Sequence, residues 1–315
     1  MDLFPDRYRL QNLHLLFHRP QIIRGEFRRL GNTINKYYYQ TVNENNGIDI
    51  MAEDWDNLIL LDGCRYDVFA RQSNLPGEVQ YRHSVGSDSW QFISGNFAGR
   101  QLHDTIYITA NPHAYSIDET IFHYMNILLK DYWDSDSGTV LPETVAREAL
   151  DAFHTFENKR LIVHFMQPHF PFIGELGQNI DQGGLTLNID GAEDDQKHIW
   201  QQLTYGLTDR ETAIAAYREN LNIVLDTVSN LLKDISGKTV ISADHGNLIG
   251  ERLRPIPTRG YGHPRNFPAP GLIKVPWHIV PCDSRRQIKE DPPIISDSID
   301  QDIVADRLRD LGYVA

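Results

Sequence analysis

The chain has 315 residues, of which 41% are hydrophobic and 23% are charged, as is usual for a folded globular protein. Its formal net charge of −13 argues against a general nucleic-acid binder, whose surface would carry a basic excess. There are two cysteines, Cys64 and Cys282, no signal-peptide pattern, and no apolar run of the roughly 18 residues that a membrane span needs. The sequence therefore predicts a cytoplasmic, non-spanning protein without a disulfide framework.

Residues 1–50 differ from the rest and are predicted to form an N-terminal helical arm, with the main domain at 51–315. Apolar residues recur at near-helical spacing on both sides of Pro20. The arm has a local basic excess, carried by Arg7, Arg9, Arg19, Arg24, Arg28, Arg29 and Lys36. The simpler interpretation is a pair of helices packed on the edge of the domain. The alternative is a basic amphipathic arm that contacts an anionic membrane surface or a partner.

The first strand of the main domain is predicted at residues 57–61, where four successive apolar residues indicate burial on both faces, as in a parallel sheet. The run ends at Asp62, and Gly63 follows, which tolerates backbone angles that other residues resist. Ligands gather at the carboxyl ends of strands in open α/β sheets. Asp62 is therefore placed where a metal-binding or catalytic carboxylate would act.

A helix is predicted from about residue 67, and a segment with Ser87 and Ser89 then precedes an apolar, helix-capable run. A serine before a helix is a good N-cap, and a hydroxyl there also lies in a field that attracts anions. Both interpretations stay open. The next predicted elements are a strand at 105–110 and helices at 118–133 and 142–156.

A third buried strand at 160–166 contains His164, which we interpret as a core histidine. It leads into a loop in which Pro168 and Pro171 flank His169 and stiffen its backbone. The composition then predicts a surface excursion at 174–206 and a helix at 208–233.

A short β-branched run at 239–242 is predicted to be a further buried strand. Like the strand at 57–61, it is followed closely by an acid, here Asp244, with His245 and a glycine next. An irregular loop at 251–271 contains His263, and a strand at 275–280 and a terminal helix at 303–311 follow. The alternation of strands and helices predicts an α/β three-layer sandwich with a mostly parallel central sheet and helices on both faces.

Five chemically suitable side chains lie at or just past predicted strand ends or on loops there: Asp62, His169, Asp244, His245 and His263. We expect them to share one site. Carboxylate and imidazole ligands suit Zn²⁺ or Mn²⁺, with Mg²⁺ or Ca²⁺ as alternatives. A hydroxyl bound to such a metal is easily deprotonated and becomes a nucleophile.

These motifs and their order resemble those of sulfatase-like proteins in the alkaline phosphatase superfamily. Residues 62–67 resemble the first metal-binding motif, and residues 242–247 resemble the Ser/Thr-Asp-His-Gly motif. Residues 167–171 resemble the Pro-His-x-Pro loop, and residues 275–277 resemble the Val-Pro strand after the last metal histidine. The resemblance covers roughly residues 55–315, and the pattern is closest to archaeal sulfatase-like proteins.

The resemblance implies an alkaline phosphatase-like fold and a metal-dependent hydrolase or transferase acting on phosphate esters, phosphodiesters among them, or on sulfate esters. By position, the metal ligands would be Asp62, Ser89, Asp244, His245 and His263, and the nucleophile would be Ser89, with Ser87 next. His169 would be a second catalytic residue. A sulfatase needs Cys/Ser-x-Pro-x-Arg, and residues 89–93 lack both Pro and Arg, so phosphate is favoured over sulfate.

Two other interpretations remain. The first is a catalytically inactive relative that binds an anion or a partner, because many relatives carry two adjacent acids where this chain has Leu61 and Asp62, and Gln167 stands near the place of another acid. The second is a thiolate phosphatase using Cys64, which the spacing to Arg71 disfavours. Arg65 would hold a substrate anion or, in the simpler interpretation, form a salt bridge to an acid.

Overall fold

The computed structural model describes residues 20–43, 47–186 and 196–294, and its centre is a seven-stranded sheet. The strands of this sheet are β1 (Asn57–Leu61), β2 (Glu78–His83), β3 (Leu102–Thr109), β4 (Phe122–Ile127), β5 (Arg160–Phe165), β8 (Thr239–Ser242) and β11 (Lys274–Ile279). Two pairs of short strands lie outside it: β6 (Gly183–Thr186) with β7 (Gln196–His198), and β9 (Leu248–Arg252) with β10 (Arg259–Gly262).

The seven strands lie in the order β2-β11-β8-β1-β5-β3-β4. The central strand β1 pairs in parallel with β5 on one side and β8 on the other, and β3 and β4 continue the parallel arrangement. Within this sheet β11 runs antiparallel to both of its neighbours. All five residues of β1 are buried, as expected for a strand inside a covered sheet. The predicted mostly parallel sheet is confirmed.

Helices cover both faces of the sheet. They are α1 (Pro20–Val42), α2 (Tyr66–Gln72), α3 (Ser89–Phe97), α4 (Pro142–Thr155), α5 (Glu175–Gln178), α6 (Ile199–Tyr205), α7 (Arg210–Asp234) and α8 (Pro270–Ile273). On one face α4 packs against β3, β5 and α7. On the other face α3 packs through Phe92 and Phe97, whose rings contact His164 and Tyr107. The predicted α/β sandwich is therefore confirmed.

The largest local error concerns residues 118–133, which the sequence predicts to be a helix and which contain β4 instead. Short apolar runs do not distinguish a strand from a helix by periodicity alone. In the structure this segment is a strand because residues 124–127 pair in parallel register with residues 106–109 of β3. The excursion at 174–206 and the loop at 251–271 also contain short elements, including α6 and β10, that composition does not reveal.

Helix α1 docks on the domain through polar contacts. Asn35 is fully buried; its Nδ2 donates to Ile256 O at 2.9 Å and to Thr258 Oγ1 at 3.0 Å, and its Oδ1 accepts from Ile256 N at 2.8 Å. A Cβ on Gly25 or Gly31 would overlap Tyr205 or Thr258, so both positions permit a close approach that other residues would prevent.

Two sequence predictions concern residues outside the described ranges and are not tested by the structure. Residues 1–19 and 44–46 lie outside the described ranges, so a separate arm over 1–50 stays a prediction, although Pro20 begins α1 rather than interrupting it. The terminal helix predicted at 303–311 also lies outside the described residues. Within the described part of the chain, no helix combines the length and the apolar character that crossing a membrane requires.

The docking of α1 can be tested at Asn35. Asn35→Ala removes its three side-chain hydrogen bonds and leaves the Ile256 amide without its acceptor, so we expect a loss of about 1–3 kcal/mol in free energy of unfolding by urea denaturation. Thr33→Ala is the control, because Thr33 is exposed on the same helix and bonds within it, to Arg29 O. Equal stability of the two variants would contradict this docking.

Candidate functional site

Strand register brings the two predicted acids together. In the parallel pairs of β1, Leu61 lies opposite Phe165 of β5, and Leu60 lies opposite Ser242 of β8. The residues that follow β1 and β8 therefore leave the same edge of the sheet side by side. These residues are Asp62 and Asp244, and both are fully buried.

Asp62 lies between a serine and a histidine. Its Oδ2 accepts hydrogen bonds from Asn111 Nδ2 at 2.6 Å and from Ser89 Oγ at 3.3 Å, and its Oδ1 lies 3.6 Å from His245 Nε2. Asn111 was missed by sequence analysis. The available signal was its position just past β3, at the same sheet edge as the predicted acids.

Asp244 is held by backbone donors on one side and faces imidazoles on the other. Its Oδ1 accepts from Gly63 N at 3.0 Å and from His245 N at 2.8 Å. Its Oδ2 lies 3.5 Å from His245 Nε2 and 3.7 Å from His164 Nε2. Burial by itself would raise the pKa of Asp244, but His245 and His164 together hold that pKa below its ordinary value, so the carboxylate is ionised.

His245 presents one nitrogen to these acids and uses the other to fix its ring. Its Nδ1 lies 2.6 Å from Gly246 O, a carbonyl that can only accept, so Nδ1 carries a proton and donates it. Its Nε2 is directed at Ser89 Oγ, 3.2 Å away, and at the two carboxylates. The ring is therefore oriented as a ligating histidine would be.

His169 and His263 form an imidazole pair beside His245. His169 Nδ1 donates to Phe170 O at 2.5 Å, which leaves its Nε2 to accept from His263 Nε2 at 2.9 Å. Burial lowers the pKa of His169 to about 3 and holds that of His263 well below its ordinary value, so both rings are neutral at neutral pH. The centroids of the His245 and His263 rings are 4.8 Å apart.

The structure thus brings together every residue of the predicted site: Asp62, Ser89, His169, Asp244, His245 and His263. Ser87 does not join them, since its Oγ contacts Gln91 Oε1, Pro264 O and Phe267 N. Neither serine caps α3. The N-cap is Asp88, whose carboxylate accepts from Gln91 N at 2.8 Å, and Ser89 occupies the first turn of the helix.

His164, which the sequence predicts to be a core histidine, lies beside Asp244 of the site. It is fully buried, its Nδ1 lies 2.9 Å from Tyr107 OH, and its Nε2 faces Asp244. Asp62, His164 and Asp244 offer ligand atoms that all lie within 4.8 Å of one another. The sequence places His164 inside β5 and gives no signal that it could be a metal ligand.

Three other residues considered in the sequence analysis, Cys64, Arg65 and Gln167, have structural rather than catalytic surroundings. Burial raises the pKa of the Cys64 thiol well above its ordinary value, so Cys64 is not a thiolate nucleophile. Arg65 forms ion pairs with Asp67 and Glu251, as the simpler interpretation predicted. Gln167 is buried, and its side-chain amide donates to Val140 O.

The charges at the centre of the site fit a divalent metal. Asp62 and Asp244 bring two carboxyl groups into a buried region, where ionised carboxylates are costly unless their charge is compensated. A divalent cation would balance the charges of both groups in their ionised form. Carboxylate, hydroxyl and imidazole donors form a set that Zn²⁺ or Mn²⁺ accepts. The residues therefore constitute a candidate metal site.

Solved structures with a similar fold share little sequence with this chain. Lipooligosaccharide phosphoethanolamine transferase A from Neisseria meningitidis, an integral membrane protein, has a TM-score of 0.49 at 12% identity, over 74% of this chain and 49% of that chain. The C-terminal periplasmic domain of EcEptC from Escherichia coli, in complex with Zn, has a TM-score of 0.44 at 12% identity, over 76% of each chain. A putative sulfatase from Bacteroides thetaiotaomicron has a TM-score of 0.48 at 12% identity, over 75% of this chain and 66% of that chain.

Another similar structure, from Vibrio parahaemolyticus, is described as a protein in the alkaline phosphatase superfamily, the group that the motifs resemble. Its sequence identity to this chain is 14%, so the likeness concerns the fold alone. The chain spans about half the length of the Neisseria protein. No family model and no curated protein matches the sequence.

The prediction of a cytoplasmic protein was wrong. The similar structures include an integral membrane protein and periplasmic domains from Escherichia coli and Campylobacter jejuni. The lack of a signal-peptide pattern in this sequence therefore does not place the protein in the cytoplasm.

The N-cap of α3 gives a test of how Ser89 is held. Asp88→Ala removes the side-chain acceptor for Gln91 N and the ion pair with Arg265, so we expect a loss of about 0.5–2 kcal/mol in denaturant unfolding. Asp88→Asn keeps the cap and loses only the ion pair, and should stay within about 0.5 kcal/mol of the unmodified protein, because Arg265 is half exposed. Equal losses in the two variants would show that the ion pair, not the cap, holds this turn.

Proposed function

We propose that this protein is a metal-dependent phosphate-ester hydrolase or phosphoryl-group transferase with Ser89 as its nucleophile. The observation that carries the proposal is the position of Ser89 Oγ, which is fully buried in the first turn of α3, 3.2 Å from His245 Nε2 and 3.3 Å from Asp62 Oδ2. A serine that only capped a helix would face the backbone of its own first turn, and Asp88 already does so.

In this proposal Asp62, Ser89, Asp244 and His245 hold one metal, zinc or manganese. The bound ion would promote loss of the Ser89 proton and stabilise charge that develops on the phosphoryl oxygens. One ion is proposed because Gln167, near the place where relatives carry a further acid, bonds to Val140 O instead. The sequence also predicts His263 to be a metal ligand. That stays a prediction, and the proposal below gives His263 the role of a hydrogen-bond donor.

The side chains of the site divide the work of phosphoryl transfer. Asp62 accepts the Ser89 hydroxyl and is itself fixed by Asn111, so it orients Oγ toward the substrate. The Ser89 Oγ–P bond forms as the ester O–P bond breaks, and the proton lost by Ser89 ends on the departing alcohol. Water, or an acceptor hydroxyl in a transferase, then attacks phosphorus. The new O–P bond forms as the Ser89 Oγ–P bond breaks, and the proton lost by the attacking group returns to Ser89 Oγ.

His263 supplies a neutral N–H group for the phosphoryl oxygens, and His169, whose Nε2 can only accept, holds that group in position. Both stay neutral because burial disfavours their charged forms. Phe170 O fixes the ring of His169, so the His263 N–H between the two rings can turn to an anion while His169 stays in place. A donor held close to developing charge stabilises a transition state. His169 is thereby a positioning residue in this proposal, and the catalytic role predicted for it stays a prediction.

Phosphate esters are preferred to sulfate esters as substrates. The residues after Ser89 lack the Pro and Arg that the formylglycine pattern requires, and Ser89 is placed to act as an unmodified serine.

The nucleophile can be tested with Ser89→Ala. We expect turnover of p-nitrophenyl phosphate and bis-p-nitrophenyl phosphate to fall by at least about 10³-fold, because the attacking oxygen is removed. Intact-protein mass spectrometry after rapid quenching should detect a phosphoryl adduct only when Ser89 is present. The control is Ser94→Ala, a partly buried serine of the same helix outside the site. Near-normal turnover by Ser89→Ala would refute the role given to Ser89.

Metal binding can be tested with Asp244→Asn. The amide keeps an oxygen for Gly63 N and His245 N but removes one negative charge, so the fold should be retained while zinc or manganese affinity falls by at least about tenfold. Isothermal titration and metal analysis after dialysis measure this, and turnover should fall with metal content. The exposed Asp226→Asn serves as control. Unchanged metal content in Asp244→Asn would show that this acid is structural.

A further inference from the structure

A chain of buried polar side chains lies behind the two acids of the site, on the face of the sheet that α3 covers. His164 of β5 lies in parallel register with Thr109 of β3, and Tyr107 comes two residues earlier on that strand. Residues two apart on a strand point to the same face, so these three side chains lie on one side of the sheet. All three are fully buried, and the ring of Phe92 on α3 packs against His164 at a centroid distance of 6.4 Å.

The hydroxyl of Tyr107 connects this chain. It lies 2.9 Å from His164 Nδ1 and also bonds to the Thr109 side chain. Thr109 Oγ1 in turn accepts from Asn111 N at 3.0 Å, and the side-chain amide of Asn111 bonds to Asp62. Burial raises the pKa of Tyr107 well above its ordinary value, so the phenol keeps its proton. The hydroxyl therefore donates one hydrogen bond, either to His164 or to Thr109.

The other end of the chain faces the second acid. His164 Nε2 lies 3.7 Å from Asp244 Oδ2, and both residues are fully buried. Within the ranges that the structure describes, His164 Nε2 has no partner at hydrogen-bond distance. A buried polar atom without a partner is costly, and the carboxylate is the charged group that this nitrogen faces. Asp244 is therefore the partner that the position of His164 indicates.

The charge of Asp244 sets the direction of the protons in the chain. A carboxylate attracts an N–H and repels the lone pair of an unprotonated nitrogen, so the proton of a neutral His164 belongs on Nε2. Nδ1 is then an acceptor, and Tyr107 donates to it. In the reverse arrangement Tyr107 would donate to Thr109, and His164 Nε2 would present its lone pair to the carboxylate. The reverse arrangement is therefore disfavoured.

We propose that Tyr107 and His164 form a relay that positions Asp244 for the metal of the proposed site, with the Nε2–H of His164 directed at Asp244 Oδ2. Hydrogen bonds from outside the ligand set hold ligating side chains in this way. Both are positioning residues. His164 is not itself a ligand, although Asp62, His164 and Asp244 offer ligand atoms within 4.8 Å of one another, because a protonated nitrogen has no lone pair for a cation. This inference rests on the proposed function.

The position of the proton on His164 can be read by ¹⁵N NMR of the full-length protein labelled in histidine, before and after addition of zinc. The resonances of His164 are assigned by comparison with His164→Gln. We expect a protonated Nε2 and an unprotonated Nδ1 in both states, and the Nδ1 resonance should move when Tyr107→Phe removes the donor. A proton on Nδ1 in either state would overturn the relay, and its transfer to Nδ1 on zinc addition would make His164 a ligand.

Zinc affinity, measured by isothermal titration, tests the positioning role. His164→Leu should lower the affinity by about 10–100-fold, and Tyr107→Phe, which acts only through His164, by at least about threefold. His164→Gln should recover part of the loss, because its amide can donate to Asp244. Adding Tyr107→Phe to His164→Leu should cause no further loss, since the two residues act as one chain. The control is Tyr124→Phe, which alters a partly buried tyrosine of β4 and should leave the affinity unchanged.

The relay and the proposed function fail in different ways. The relay is overturned if Tyr107→Phe binds zinc as tightly as the unmodified protein, or if the losses in Tyr107→Phe and His164→Leu add in the combined variant. Tyr107→Phe removes one hydroxyl and keeps the ring, so it decides the question even if His164→Leu does not fold. An unmodified protein that binds neither zinc nor manganese would refute the metal site itself, and the positioning role with it.

Discussion

The two buried carboxyl groups of Asp62 and Asp244 are the constraint on which the site depends. Asp62 and Asp244 come from adjacent parallel strands, and their charges can be tolerated only with strong local compensation. Their surroundings supply part of it: backbone amides of Gly63 and His245 bond one acid, and Asn111 bonds the other. These contacts fix the oxygens without neutralising them, and a site that keeps its charge while restricting its geometry is suited to a cation.

Gly63 couples the parts of this arrangement. Its N–H donates to Asp244 Oδ1 and its carbonyl accepts from Tyr217 OH, so the turn after β1 is tied both to β8 and to α7. The residue has a φ of 63°, where a side chain would be strained, and a Cβ there would lie 3.6 Å from the rings of His169 and His245. Both histidines therefore pack directly against the turn that carries Asp62.

The residues with local signals were predictable, and those that depend on tertiary pairing were not. Asp62, Asp244 and His245 follow buried runs that are recognisable as strands, and strand ends of a parallel sheet converge by geometry. Asn111 carries no motif, because its role comes only from the position of β3 two strands from β1. The edge strand β4 was predicted as a helix for the same reason: its structure is set by its pairing with β3, which composition does not encode. The sequence left the capping of α3 open, and only the contacts of Asp88 and Ser89 distinguish the cap from the site residue.

The site has a charged half and a neutral half, and this division bears on how an anion could enter. A phosphate ester approaching Asp62 and Asp244 alone would meet like charge. His169 and His263 add no positive charge at neutral pH, because burial keeps them neutral, so this pair can bind an anion only through the N–H of His263. Attraction must then come from elsewhere: from the ion that the two acids would hold and from the amino end of α3, where Ser89 lies in the first turn. In the proposed function metal binding and anion binding are therefore coupled, since without the cation the carboxylates would repel the ester that Ser89 is proposed to attack.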